Sequence, residues 1–168
     1  MKTLYAAAGA AVAIFVALLA ASSYANASLQ YRSQGAQGFN FSDSTTDVAM
    51  DVCNPTPFPA GFDRLAFVAF YGDSQFAEME FREAEIAASS QARVDGMLDV
   101  DGRAALAAVF QRFADSLNGE EVEGDDIRVR MTSESRLLGF VPSSQSTEMS
   151  AGEFSDMMNG KNGFDCGE

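Results

Sequence analysis

After residue 28 the chain is patterned mainly with a period of two, and this alternation, punctuated by turn residues, confines most of it to antiparallel strands. Val48, Met50 and Val52 fall on one face of a first clear strand. Leu65, Phe67, Ala69 and Tyr71 share one side of the next, and Ala66, Val68 and Phe70 line the other, which predicts a strand buried on both faces. Gly72-Asp73-Ser74 turns the chain into a half-exposed partner, where Ala77, Met79 and Phe81 alternate with Glu78, Glu80 and Arg82. Val94, Leu98 and Val100 then alternate with Arg93, Asp95 and Asp99, and Ile127, Val129 and Met131 with Arg128, Arg130 and Thr132. A last strand is predicted from Gly139 to Met149, and one or two weaker ones between Leu29 and Phe41.

One segment keeps helical spacing instead. Leu106, Val109, Phe110, Phe113 and Leu117 recur every three or four residues, with Asp101 as N-cap and Asn118-Gly119 as the stop. Its apolar stripe needs a sheet to cover. A second, short helix is predicted from Gly152 to Met158. About seven strands with one conspicuous helix read as a β-sandwich with a helical insertion.

Ahead of the strands lies an uncharged run from Leu4 to Ala21, preceded by Lys2. Eighteen residues at ~1.5 Å per residue span about 27 Å, close to the hydrocarbon thickness of a bilayer, and predict a membrane-spanning anchor. Ala25-Asn26-Ala27 also fits a small-x-small cleavage site, so residues 1–27 are an anchor or a signal peptide, the latter releasing a secreted chain beginning at Ser28. Both readings place residues 28–168 outside, with the N-terminus in the cytoplasm, because Lys2 is the sole basic residue before Arg32. Residues 28–43 then form a linker and first weak strand, and 44–168 the folded domain. In an exported chain Cys53 and Cys166 are expected to pair, with two separate buried thiols as the alternative. Asn26-Ala27-Ser28 and Asn40-Phe41-Ser42 match the N-glycosylation pattern.

Composition narrows function. The 168 residues hold no His, no Trp and two Cys, which removes the commonest general base and transition-metal ligand; an enzyme is not expected. Twenty-four acidic residues against 11 basic give a net charge of -13, opposed to nucleic acid, whose phosphates require Lys and Arg. No cofactor, metal or small-molecule substrate is indicated. Asp95, Asp99 and Asp101 before Gly102 miss the register of a calcium loop. Glu120, Glu121, Glu123, Asp125 and Asp126 read as a solvated run able to gather cations. Gly160-Lys161-Asn162-Gly163 lacks the residues of a phosphate loop, and Met149, Met157 and Met158 read as core rather than a copper site.

The stretch from Cys53 to Val100 has an order of its own. A strand ends in Asn54-Pro55-Thr56-Pro57-Phe58-Pro59; a hydrophobic strand, Tyr71-Gly72, a second strand, Ala87-Ala88-Ser89-Ser90 and another strand follow. Proline donates nothing to a ladder and disfavours helical geometry before it, so the strand must leave its sheet here; Asn54 can bond backbone across that exit, and Phe58 is expected to plug the end of the core. Over residues 44–149 this order resembles the group-2 late embryogenesis abundant (LEA) proteins with their water stress and hypersensitive response (WHy) domain, in a membrane-anchored prokaryotic, archaeal form. It departs from them where Phe81-Arg82-Glu83 replaces an expected glycine. The resemblance implies an immunoglobulin- or fibronectin-like sandwich, a part in desiccation and osmotic stress tolerance, and no active site. Three functions are expected in turn: a tethered, non-catalytic protectant or stabiliser of the envelope, an accessory or adaptor subunit of an envelope complex, and a pilin-like filament subunit.

Overall fold

In the computed structural model, residues 2–34, 45–107, 127–161 and 163–166 are described. The chain opens with helix α1 (Lys2–Ala27). Among the described residues seven strands follow: β1 (Gln30–Ser33), β2 (Thr45–Asn54), β3 (Ala60–Tyr71), β4 (Ser74–Ile86), β5 (Ser90–Val100), β6 (Ile127–Leu137) and β7 (Val141–Ser150). Helix α2 (Ala151–Met158) comes last. Residues 102–107 are also helical, and the Asp101 carboxylate accepts from the backbone N–H groups of Arg103 and Ala104, at 2.9 and 3.1 Å, which caps that helix. Its predicted continuation, Asn40 and the acidic run 120–126 lie outside the described residues.

The strands hydrogen-bond in one antiparallel order, β1-β2-β5-β4-β3-β6-β7. The expected mainly β, antiparallel architecture is present as one curled sheet, and the reason for its curl lies in β4. The β4–β5 ladder runs only from Ala77↔Val100 to Phe81↔Gly96. Beyond Phe81, β4 stays on β3 as far as Ile86↔Ala60, while the other half of β5 stays on β2, down to Ser90↔Asn54. The hairpin is therefore zipped at the end remote from its own turn and splayed next to it. Gly96 permits the crossing: a Cβ there would lie 2.5 Å from Glu80 O and 2.5 Å from Phe81 Cδ1.

Period two does the rest, since paired residues of an antiparallel ladder share a face. Tyr31, Met50, Val52, Leu65, Phe67, Phe81, Val94 and Val129 are buried on the concave side. Phe67 is its centre, edge-on to Tyr31 and Phe81 at 6.2 Å each and 5.5 Å from Phe154 of α2. Helix α2, started by a capping box between Ser150 and Glu153, touches β1 as well as β6 and β7 and so spans the gap between the sheet's two edges. The predicted core role of Met149, Met157 and Met158 matches their packing against this cluster. On the convex side of β3 Ala66 is buried, but Val68 and Phe70 are only half-buried, so the second face is covered less than the sequence predicts.

Candidate functional site

At the splayed end of the sheet one side chain organises three segments. Asn54 is fully buried at the close of β2. Its Nδ2 donates to Phe58 O (2.7 Å), Ala87 O (3.0 Å) and Ile86 O (3.3 Å), and its Oδ1 accepts from Thr56 N (3.1 Å) and Thr56 Oγ1 (2.8 Å). The same amide thus folds the Pro55–Pro59 connector back on itself and holds the β4–β5 turn where the two strands have parted. Ser89 completes the tie: its N–H donates to Thr56 O at 2.8 Å, with φ at 47°, in the left-handed region. Pro55, Pro57, Phe58 and Pro59 all face solvent. Phe58, expected as a plug, is 42% exposed; flanking prolines fix its direction outward, and Ala60, Phe62 and Ile86 fill the core end instead.

Beside Asn54, Cys53 is fully buried and joined to Cys166 by a disulfide, with Cα atoms 5.6 Å apart. The bond closes a path over the β1 edge. After α2 the chain wraps from the concave to the convex side, where the Arg32 guanidinium lies 4.1 Å from the centre of the Phe164 ring. Arg32 also pairs at 3.2 Å with Asp51, which Gln34 meets at 2.6 Å, so the buried Asp51 carboxylate is satisfied.

The second feature of this end is its junction with α1, which sequence reasoning missed. Ala25 is fully buried and Leu29 nearly so. Asn26 Oδ1 accepts from Gly61 N at 3.0 Å and its Nδ2 donates to Ser135 Oγ at 3.1 Å, tying the last turn of the helix to β3 and β6. The Ala25-Asn26-Ala27 triplet is therefore a helix terminus built into the fold, and the amide nitrogen that a glycan would take is in use. Small residues with one amide suit a peptidase site and a close helix–sheet contact equally, so the sequence carried no distinguishing signal. Among the described residues, Gly9–Ala27 of α1 is long and apolar enough to cross a membrane.

Elsewhere charges are paired on the convex face. Arg64 meets Glu80 at 2.8 Å and Glu78 at 3.2 Å; Arg130 meets Glu148 at 2.6 Å while standing 5.0 Å over Phe70. The Arg130 hydrogen bond and charge, with help from Arg128, hold Glu148 below the usual carboxylate range. These exposed pairs form a polar ladder across β4, β3, β6 and β7 and contribute little stability each. Lys161 pairs with Asp156 at 2.7 Å in the turn after α2. Among the described residues, no group of three or more His, Cys, Asp or Glu side chains is arranged to hold a metal ion.

No family model matches the chain, and no curated protein matches it. Among solved structures it is weakly similar to a crystal structure of a protein from Archaeoglobus fulgidus, at TM-score 0.43 and 14% identity, covering 74% of this chain and 95% of that one. A solution structure from Arabidopsis thaliana gives 0.36 and 10%, covering 72% and 77%. The solution structure of a protein described as late embryogenesis abundant gives 0.34 and 10%, covering 84% and 86%.

Proposed function

We propose that this chain is a non-catalytic, membrane-tethered domain outside the cytoplasm, a LEA-like sandwich over residues 44–168 that protects or stabilises the envelope under water or salt stress. The observation that carries the tether is Asn26. Its two hydrogen bonds and the buried Ala25 make the end of α1 part of the domain's core, so cutting after Ala27 would strip packed residues from a finished fold. A retained α1 holds the domain at the surface in a fixed pose. The LEA-like part rests on the order from Asn54 to Val100, within which Asn54 and the connector have the structural duty just described.

Two measurements test this reading. The native protein is expected to begin at Met1 or Lys2 and to remain with membranes after a high-pH wash; a first residue at Ser28 overturns the tether. Cells lacking the chain are expected to survive drying and osmotic shock less well, and unchanged survival overturns the protective role. The adaptor reading is favoured by one observation: β7 is an edge strand with a long exposed run, the arrangement to which a partner's strand can add. A stoichiometric partner crosslinked to β7 in membranes would replace the protectant with the adaptor.

A further inference from the structure

Three loops sit at the end of the sheet that receives α1, and none carries a charge: Pro55–Pro59, Ala87–Ser89 and the β6–β7 turn. The opposite end exposes Asp73, Asp99-side residues of β5 and Asp101. The loops themselves thus carry no acid in a chain with 24 acidic residues, while Glu85 and the Arg136–Asp63 pair lie on the adjoining strands. The β6–β7 turn reaches along α1 as far as Phe15. Leu138 and Gly139 both have positive φ, 53° and 79°, and Phe140 N–H donates to Leu137 O at 3.3 Å. Such turns favour Asn, Asp or Gly at the first of these positions, and a leucine there costs on the order of 1 kcal/mol of backbone strain. The strain places an apolar side chain at the tip, where Leu138 and Phe140 are exposed, the latter by 63%. Phe140 stacks against Phe15 of α1, with centroids 6.3 Å apart.

The depth can be read from the helix. Half-burial of α1 by the domain begins at Leu19, and the apolar run ends at Ala21. Phe15 lies six residues above Ala21 in the chain, about 9 Å along the axis. A turn that meets Phe15 therefore sits roughly 5–10 Å inside the surface into which α1 runs, the depth of an interfacial insertion. Arg136, paired with Asp63 at 3.4 Å, stands at the base of the same hairpin where a charge can reach water.

We propose that the β6–β7 turn is a second membrane contact, inserting Leu138 and Phe140 into the outer leaflet beside α1, with the acyl region of a phospholipid bilayer as its partner. The proposal rests on α1 being a retained anchor. The chain has no tryptophan, so Phe140→Trp and Phe15→Trp are each single-tryptophan reporters. The full-length variants are placed in phosphatidylcholine vesicles with or without bromine on the acyl chains. Bromine is expected to quench both reporters, Trp emission at position 140 falling by at least half as much as at position 15. Adding Leu138→Asn to Phe140→Trp is expected to lessen that quenching while thermal stability in detergent stays level or rises. Quenching at 15 without quenching at 140 overturns the membrane contact and leaves the anchor standing. Quenching at neither position removes the anchor and this inference together.

Discussion

Asn26 and Ser135 are 109 positions apart and joined by a 3.1 Å hydrogen bond from Nδ2 to Oγ, so the last turn of an apolar helix closes onto the sixth strand of the sheet. Because Gly61 N donates to the other end of the same amide, Asn26→Ala leaves a backbone donor and a nearly buried hydroxyl without their partner. A loss of about 1–3 kcal/mol is expected in detergent-solubilised protein. Asn26→Asp keeps both an acceptor for Gly61 N and one for Ser135 Oγ, and is expected to lose less. Equal unfolding midpoints for wild type and Asn26→Ala would show that the junction does not hold the domain.

Asn54 is the stronger test of the splayed end, since one buried amide serves three carbonyls and two donors. Asn54→Asp preserves shape and the acceptor toward Thr56 but turns a donor into a charge facing Phe58 O, Ile86 O and Ala87 O. It is expected to cost about 3 kcal/mol or more, comparable to Asn54→Ala, because Ile86 O and Ala87 O lose this donor and Phe58 O is left to the Thr56 hydroxyl. Amide exchange at Ala87–Ser90 is expected to accelerate in both variants, and unaltered protection there would place the organising contact elsewhere.

The strands of this fold were legible because each face of a strand repeats every second residue, and β2, β4, β5 and β6 carry that repeat cleanly. Asp101 and the α2 start were legible for a similar reason, as caps are local. What was not legible depends on pairing over long separations. Alternation tells which face of β4 is inward but not that its ladder to β5 stops at Phe81↔Gly96, and a sandwich and a curled, splayed sheet share one pattern. Phe58 points outward despite its hydrophobicity, because Pro57 and Pro59 fix the path of the connector around it. The bonds of Asn26 to the sheet were not legible because a helix end and a cleavage site use the same small residues.

Gly96 offers a check on that crossing. Phe81 is fully buried, and its ring occupies the place a Cβ at Gly96 would take, with Glu80 O equally close. Gly96→Ala must push backbone or ring aside and is expected to cost about 1–3 kcal/mol. Trimming the ring in Phe81→Leu is expected to soften the penalty of a second Gly96→Ala change only in part, since the Glu80 carbonyl remains. Fully additive losses in the double-mutant cycle would mean that ring and glycine do not sense each other.

The Cys53–Cys166 bond joins residues separated by 113 positions, and loop-closure entropy sets its contribution at up to about 4–5 kcal/mol. Non-reducing peptide mapping of the native protein is expected to return these two cysteines in one species. Reduction is expected to lower the unfolding midpoint and to release the tail around Phe164 from Arg32 while α2 stays packed through Phe154. Two free thiols in the native protein would remove the staple from the account.

Tyr31 gives the fold an alkaline limit. Its side chain is buried beside Phe67, and desolvation pushes the phenol above its ordinary pKa of 10.0. In the unfolded chain the same phenol ionises at its ordinary value, so above that pH the unfolded state binds fewer protons than the folded one, and stability falls as pH rises. The contribution is whole below pH 10.0 and is lost progressively on the alkaline side. Denaturant unfolding from neutral pH upward is expected to show a level region and then a decline, which Tyr31→Phe makes shallower while keeping the edge-on contact with Phe67. Ultraviolet titration is expected to show a late tyrosine ionisation in step with unfolding that Tyr31→Phe removes. Identical alkaline slopes for wild type and Tyr31→Phe would mean that another group sets the limit.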